Sequence, residues 1–193
     1  MLKNNIDFTI KLVTRVDIKD FIEMWHYSKS INGCISDYCF GLYYKDTLIG
    51  AMFYGKLAMV NQHKKYVNSA SDIIELRRLC CIDDTPRNTE SFFIGYTLRW
   101  LKKNTNLKKV ISYADSNYNH TGIIYKASNF QLVGMTSPGR VIMYNDKKYH
   151  DKAIRTYYKG KLKPFAQRLK IALENNEAHY EKQLPKYIYV YEL

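Results

Sequence analysis

Residues 107–134, with the sequence LKKVISYADSNYNHTGIIYKASNFQLVG, decide the fold of this chain. The apolar run at 110–113 predicts a short buried strand, and polar residues follow that strand directly. A helix is then expected to start near Gly122, and residues 130–134 predict the next strand. Because open α/β sheets bind ligands beyond the carboxyl ends of their strands, the polar residues after the first strand are the first candidates for a functional site.

The segments on either side predict a mixed order of strands and helices. Alternating apolar residues at 7–13 indicate a strand, and Thr14 or Asp17 can cap a helix over residues 18–27. The remaining predicted elements are strands at 38–44, 47–54 and 73–82, a helix at 90–103, a hairpin of 132–135 with 140–144, a helix at 164–178 and a strand at 187–192.

This order of elements predicts a single domain over residues 1–193, of the α/β (α+β) class. It resembles the N-acetyltransferase (GNAT) fold, in which two central parallel strands splay apart and the donor enters between them. The resemblance implies a mixed, splayed central sheet flanked by helices, with a C-terminal helix and strand over residues 164–193.

The charge of the chain indicates a polyanionic partner. Its 193 residues include 30 Lys and Arg against 18 Asp and Glu, a net charge of +12 at pH 7. A fold does not need this excess, so nucleic acid is the simplest explanation, with a merely solubilising surface as the alternative. We expect the loop at 63–66 and the basic segment at 147–163 to bind the nucleic-acid backbone. The cations assigned to this contact are Lys64, Lys65, Lys147, Lys148, Arg155 and Lys159.

The cysteines and the hydropathy pattern exclude other classes. The four cysteines, Cys34, Cys39, Cys80 and Cys81, form no C-x-x-C pair, so a zinc site is not indicated and reduced, structural thiols are expected. The sequence shows neither a signal peptide nor an apolar run of membrane-spanning length. We therefore expect a cytoplasmic protein that does not insert into a membrane.

Two side chains in the N-terminal half could carry chemistry. His26, at the end of the first predicted helix, could act as a general base or a metal ligand, or simply cap and pack there. Arg78 is predicted to share a strand face with Leu76 and Cys80, so its burial would require an anionic partner. An ion pair with Glu23 or a nearby aspartate would satisfy that requirement equally well.

Three side chains of the 107–134 stretch are further candidates. Asp115, just past a strand end, could accept a proton or bind a metal, and Tyr125 could donate a proton to a leaving group. Ser112 lies on the strand itself. The structural alternatives are a loop cap for Asp115, a packed helix residue for Tyr125 and a strand-edge hydroxyl for Ser112.

The turn at 83–88 bears on the cofactor. Acetyltransferases carry a Gly-rich Q/R-x-x-G-x-G/A loop here, whose backbone N–H groups bind the pyrophosphate of coenzyme A. This turn reads DDTPRN, contains no glycine, and has Pro86 where an N–H would be needed, which argues against acetyl-coenzyme A as the donor. Asn88 and Ser91 could still bind an anion at the helix start, or act only as helix caps.

Separate motifs along the chain together resemble the Mom family of bacteriophage DNA-modification proteins. They are WHYSK at 25–29, ELRRLCC at 75–81 followed by PRN and Ser91, ISYAD at 111–115, H-x-G-x-IY-x-A-x-NF at 120–130, and PK-x-x-Y-V-Y at 185–191. The resemblance implies a divergent GNAT-like enzyme that converts adenine in phage DNA to N6-carbamoylmethyladenine. This modification protects the DNA from host restriction enzymes, and double-stranded DNA is the implied substrate.

The resemblance also implies residue roles. The residues matching catalytic motif positions are His26, Tyr27, Ser112, Asp115 and Tyr125. Those matching donor- or cofactor-binding positions are Arg78, Asn88 and Ser91. His26, Asp115 and Tyr125 are further implied as ligands of an iron ion, for which imidazole, carboxylate and phenolate are suitable donors.

Two other functions stay open at this point. One is an acetyl-coenzyme A-dependent N-acetyltransferase acting on a protein or small amine, and the other is a non-catalytic DNA-binding protein. The sequence names no donor, although a glycine-derived group would match the atoms of the carbamoylmethyl product. Monomer and dimer are both open, as is the DNA sequence context.

Overall fold

The computed structural model describes residues 8–59 and 61–193, which form two compact units. The first unit holds Met1–Ala114, His120–Gly134 and Tyr187–Leu193, and the second holds Asp115–Asn119 and Met135–Lys186. A single domain over residues 1–193 therefore stays a prediction. No helix among the described residues combines the length and apolar character that crossing a membrane requires.

Strands and helices alternate along the described chain. The strands are β1 (Phe8–Val13), β2 (Tyr38–Tyr44), β3 (Thr47–Gly55), β4 (Ile73–Cys81), β5 (Lys109–Asp115), β6 (Gln131–Met135), β7 (Gly139–Tyr144), β8 (Lys147–His150), β9 (Tyr157–Tyr158), β10 (Lys161–Leu162), β11 (His179–Gln183) and β12 (Lys186–Glu192). The α-helices are α1 (Arg15–Trp25), α2 (Thr89–Asn104), α3 (Ile123–Ala127) and α4 (Pro164–Glu174).

A seven-stranded sheet in the order β1-β2-β3-β4-β5-β12-β6 confirms the predicted fold class. Strands β1 to β4 pair antiparallel with their neighbours, whereas β4 and β5 pair in parallel. The parallel pairing runs from Ile73 opposite Lys109 to Leu76 opposite Ser112. Beyond these residues β4 and β5 continue without pairing to each other in the described chain. The two central strands therefore splay, as predicted.

Each face of this sheet is covered by helices. On one face, α2 packs Phe93, Leu98 and Leu101 into the largest apolar cluster, which also includes Tyr125 of α3. On the other face, α1 buries Ile18 and Ile22 against residues of β2 and β3. Burial of such side chains stabilises the fold by about 1.5–3 kcal/mol each. These helices hold the sheet in place, and several candidate site residues lie on its strands.

The second unit is built on a three-stranded antiparallel sheet in the order β11-β7-β8. Helix α4 packs Leu169 and Ala172 against Ile142 of β7. The predicted hairpin of 132–135 with 140–144 is wrong, because β7 is paired on both sides by β8 and β11 while β6 lies beside β12. The actual turn is Asn145-Asp146, two residues with φ of +48° and +56° that suit a tight hairpin.

Several predicted boundaries also need correction. The first helix starts three residues earlier than predicted, because Thr14 caps it and Asp17 bonds back to Thr14 in a capping box. It ends at Trp25, before the predicted end at residue 27. The last helix ends at Glu174 instead of residue 178, because Asn176 adopts a left-handed φ of +61° and the chain then turns into β11. Strands β8 to β11 were not predicted. Asp7 of the first predicted strand lies outside the described residues.

Candidate functional site

Three aromatic side chains of the predicted motifs meet in the first unit. His26 follows the last residue of α1, and its N–H still donates to Ile22 O at 2.9 Å. The ring centroids of His26 and Tyr27 lie 4.1 Å apart. Those of Tyr27 and His120 lie 4.9 Å apart, with the rings nearly perpendicular at 78°. Motif segments nearly a hundred residues apart in sequence thus form one cluster, called the histidine cluster below.

A tight chain turn holds His120 near the start of α3. Gly122 precedes this helix with a φ of +79°, a conformation that favours glycine. A Cβ at this position would collide with the ring of Tyr189. The hydroxyl of Tyr189 in turn donates to Thr121 O at 2.6 Å. The predicted importance of the H-x-G segment therefore has a structural basis, namely close packing of the turn against β12.

Hydrogen bonds fix the tautomer of His26. The backbone N–H of Ser28 donates to Nδ1 of His26 at 3.0 Å, and Ser28 Oγ lies 2.8 Å from the same nitrogen. A backbone N–H can only donate, so Nδ1 carries the lone pair and the neutral ring carries its proton on Nε2. In this tautomer Nε2 is a hydrogen-bond donor. The predicted roles of His26 as base or metal ligand through Nε2 would require the other tautomer.

The environment keeps His26 neutral. Burial, which is the largest cause, and the nearby Arg78, His120 and Lys29 together lower the pKa of His26 to about 3. The residue is only 5% exposed. Neutral pH therefore leaves the imidazole uncharged in a positively charged surrounding, which would attract an anionic or electron-rich group.

Arg78 joins the histidine cluster through a shared carbonyl. Its Nε donates to Ser30 O at 3.3 Å, and Ser28 Oγ donates to the same oxygen at 3.2 Å. Arg78 makes no ion pair within the described part of the chain. The alternative of an ion pair with Glu23 is therefore wrong, because Glu23 contacts Lys19 at 3.5 Å instead.

The predicted face of Arg78 also needs correction. The pairing of β3 with β4 shifts register, so that Phe53 lies opposite Arg78 and Tyr54 opposite Leu76. Arg77 is the extra residue of this β-bulge, and a bulge reverses the alternation of side chains beyond it. Arg78 consequently does not share the face of Leu76. The bulge lies where β4 and β5 stop pairing.

Ser112 and Tyr125 lie together in the core of the first unit. Ser112 donates to Leu76 O at 3.1 Å, and its hydroxyl lies near enough to Tyr125 to favour the ionised phenol slightly. Burial raises the pKa of Tyr125, so its phenol stays protonated at neutral pH. The ring packs against Phe130 and Tyr189. A protonated phenol can donate a proton but is a poor metal ligand, and the catalytic role of Tyr125 stays a prediction.

Asp115 belongs to the second unit and is already engaged. Its Oδ2 lies 2.6 Å from Lys186 Nζ, and its Oδ1 accepts from the N–H and the side-chain amide of Asn117 at 3.1 and 2.8 Å. Burial alone would raise the pKa of Asp115, but these contacts outweigh it and the pKa is lowered. Asp115 is therefore an ionised carboxylate at neutral pH, with its basicity reduced.

The turn before α2 fits a coenzyme A pyrophosphate poorly. Asn88 has a left-handed φ of +72° and makes no capping bond with its side chain. The N–H of Thr89 is used by Pro86 O at 3.2 Å, and Pro86 has no N–H of its own. Ser91 Oγ donates to Asn88 O at 3.0 Å. Asn88 and Ser91 thus lie at the helix start as predicted, without a glycine cradle that would fit the pyrophosphate of coenzyme A.

The described residues also offer no ready iron site. No group of three or more His, Cys, Asp and Glu side chains is placed to hold a metal ion in the part of the chain that is described. His26 presents its Nδ1 lone pair to Ser28, and Tyr125 stays protonated. The iron ion stays a prediction.

The predicted DNA-binding cations are all exposed. Lys64 and Lys65 lie on a short 3-10 turn of the first unit, and the other four belong to the second unit. Two of those four are paired: Lys148 with Glu181 at 3.8 Å and Arg155 with Asp151 at 2.6 Å. Their role in binding DNA stays a prediction.

A buried ion pair beside the splay was missed. Glu75 and Arg77 of β4 lie 3.2 Å apart, with side chains 11% and 12% exposed. Arg77 also donates to Lys56 O, while its buried Nε has no hydrogen-bond partner among the described residues. Residues two apart in a strand share a face, but nothing in the sequence predicted that Glu75 and Arg77 would pair. The hydrogen bonds of Ser28 and Ser30 to this site were missed as well. The His-x-Ser spacing could have indicated the first of them, because such short spacings allow bonds between a side chain and the backbone.

The chain is similar in sequence to known proteins. The sequence model of the Mom protein family matches residues 7–193. The protein "Methylcarbamoylase mom" of Escherichia phage Mu is 30% identical over 120 residues, which are 60% of this chain and 49% of that protein. The chain thus spans about half the length of this curated relative.

Solved acetyltransferases share the fold. NAA60 of Arabidopsis thaliana, solved with acetyl-CoA, has a TM-score of 0.56 at 11% identity, covering 96% of this chain and 98% of that one. A GNAT family acetyltransferase from Elizabethkingia anophelis, solved with acetyl-CoA bound, has a TM-score of 0.50 at 11% identity, covering 96% and 98%. At this identity the likeness establishes the GNAT-like fold and nothing about the donor.

Proposed function

Because the chain belongs to the Mom protein family, we propose that it is a phage DNA-modifying transferase that converts adenine to N6-carbamoylmethyladenine. One observation carries the proposal. The motif residues His26, Tyr27, Arg78 and His120, distant in sequence, meet in one positively charged cluster of the first unit. The name of the phage Mu relative, a methylcarbamoylase, supports the group transferred.

The substrate requires an extrahelical base. The N6 amine of adenine is hydrogen-bonded inside the duplex, so the target nucleotide has to be flipped out before reaction. The perpendicular rings of Tyr27 and His120 offer an aromatic surface on which a flipped base can stack. The Nε2–H of neutral His26 can donate to a ring nitrogen of the base or to the carbonyl of the incoming group.

The transfer itself forms one bond between N6 and the carbon of the donor group. The leaving group departs with the electron pair of the bond that breaks, and N6 loses one proton. The N6 lone pair is delocalised into the ring, so its proton must be removed as the bond forms. We propose the ionised Asp115 as the acceptor of that proton. A glycine-derived donor would supply the atoms of the carbamoylmethyl group.

Nucleoside mass spectrometry tests the proposal. Plasmid DNA from cells that express the wild-type protein should contain a deoxyadenosine heavier by one carbamoylmethyl group. The Asp115→Asn variant should reduce its yield at least about 100-fold, because general-base catalysis contributes roughly 10²- to 10⁴-fold. The matched control is Asp20→Asn, an exposed carboxylate on α1, which should modify DNA as the wild type does.

Each contrary outcome has a distinct meaning. Full activity of Asp115→Asn would remove Asp115 from the chemistry but leave the reaction in place. Unmodified adenine from the wild type, combined with micromolar binding of acetyl-coenzyme A in calorimetry, would replace the proposal with an acetyltransferase. Unmodified adenine with tight, salt-sensitive DNA binding would favour a non-catalytic DNA-binding protein.

A further inference from the structure

The second unit contains a cationic cleft, one lining residue of which, Lys186, contacts Asp115. Its volume is about 640 Å³, and its lining comes from the 136–141 segment, the 150–155 segment and β11 with the residues that follow it. Four cations line it: Arg140, Arg155, Lys182 and Lys186. Of these, only Arg155 was singled out by the sequence.

The cleft carries an excess of positive charge. Asp151 contacts Arg155 at 2.6 Å and Arg140 at 3.4 Å, and Asp115 contacts Lys186 at 2.6 Å. These two carboxylates face four cations, which leaves two positive charges without a counterpart. Lys182 forms no ion pair with any residue that the structure describes. An anionic ligand would complete the charge balance.

The cations are held in place by the fold. Lys182 lies directly opposite Arg140 across the β11–β7 pairing, so two like charges share one face of the sheet. Such a pair destabilises a sheet unless something offsets it. The guanidinium of Arg140 lies over the ring of Tyr180, 4.2 Å from its centroid. Stacking and Asp151 together fix a guanidinium, which suits recognition of a phosphate.

We propose that this cleft binds the phosphodiester backbone of duplex DNA. The inference rests on the proposed function and adds where the backbone is held. The rim extends the positive field, because β8, which contributes His150 to the cleft, also carries the exposed Lys147 and Lys148. A series of cations along one surface suits a chain of phosphates better than a single small anion.

Salt-dependent DNA binding tests the cleft. We would titrate the full-length protein into a fluorescent duplex at several NaCl concentrations and compare the wild type with Lys182→Gln. Loss of one phosphate contact should reduce the slope of log K against log salt by about 0.9 and weaken binding roughly eightfold at 0.1 M salt. Lys182 forms no ion pair among the described residues, so this variant should fold normally.

The matched control is Lys170→Gln, on the exposed side of α4 and outside the cleft. It removes the same charge from the same unit, and its slope should stay within about 0.3 of the wild-type slope if only cleft contacts release counterions. Equal changes in the two variants would show a general charge effect and overturn the cleft as a site.

Other outcomes separate this inference from the proposed function. A wild-type protein that does not bind duplex DNA at low salt would overturn both. Wild-type modification of DNA together with unchanged binding by Lys182→Gln would overturn the cleft alone. A variant that loses binding to an RNA duplex but not to the DNA duplex would assign the cleft to RNA and contradict the proposal.

Discussion

The two units hold their charged groups in opposite ways. In the first, His26 is buried, hydrogen-bonded by Ser28 and kept neutral by neighbouring cations. In the second, the cations of the cleft stay largely solvent-exposed: Arg140 and Arg155 have side chains 51% and 60% exposed. A reacting group needs a defined protonation state, which burial provides. Backbone binding needs only accumulated charge, which solvent exposure permits.

The largest expected difference between the units is in their tolerance of added volume. Gly122 and Gly160 both have positive φ, +79° and +75°. A Cβ on Gly122 would meet the Tyr189 ring, whereas nothing lies within 4 Å of one on Gly160. We expect Gly122→Ala to cost about 3 kcal/mol of unfolding free energy, from backbone strain plus overpacking, and Gly160→Ala about 1 kcal/mol from strain alone.

Urea unfolding followed by two probes checks this comparison. Both tryptophans, Trp25 and Trp100, belong to the first unit, so fluorescence reports on that unit while circular dichroism reports on the whole chain. Equal losses in the two variants would mean that the Tyr189 ring moves aside easily. The histidine cluster would then lack the tight support that the structure gives it.

The regions also differ in how far the sequence revealed them. Alternating and helical apolar patterns predicted the strands of the large sheet and helix α2, whereas the splay of its parallel pair was implied by the resemblance to the N-acetyltransferase fold. The motifs pointed to His26, Tyr27 and Arg78 and included His120, and the structure brings these residues together, while their roles stay predictions. The elements were predictable because local patterns encode them.

Features that arise from packing could not be predicted in this way. The β-bulge at Arg77 changed the face of Arg78, and such a bulge depends on pairing with β3 rather than on any local signal. The cationic cleft depends on β11 lying beside β7, and β11 was missed because HYEKQ at 179–183 is polar and almost wholly exposed. Its charged residues come from three separate segments.

A smaller effect concerns the protonation of His26. Its pKa is near 3 in the folded protein, below the value of about 6.5 expected when unfolded. In this pH range the imidazole of His26 is protonated in the unfolded chain but neutral in the folded chain. The free energy of unfolding therefore decreases as the pH falls from about 6.5 towards 3. Acidification from pH 7 to pH 5 should lower the free energy of unfolding by about 2 kcal/mol through His26.

Denaturation at both pH values, in the wild type and in His26→Gln, measures this contribution. The variant should lose about 2 kcal/mol less than the wild type on acidification. His179→Gln is the matched control and should keep the wild-type pH dependence, because its imidazole is exposed. The same pH dependence in all three proteins would show that His26 is hydrated in solution, and the distinction between a buried and an exposed charge system would weaken.

The smallest expected effect compares the starts of two helices of equal length. Helix α1 begins with a capping box between Thr14 and Asp17, whereas α4 begins after Lys163 without a side-chain cap. Thr14→Ala should therefore cost about 1 kcal/mol of unfolding free energy, because an N–H at the helix start loses its acceptor.

Lys163→Ala should change the free energy of unfolding by less than about 0.5 kcal/mol. Lys163→Ser, which adds an acceptor, should stabilise α4 by up to about 1 kcal/mol. Fluorescence-detected unfolding measures the first change, and circular dichroism measures the other two. If Lys163→Ser raises the free energy of unfolding without weakening DNA binding, the start of α4 lacks a stabilising cap that its function would tolerate. The start of α1 already has such a cap.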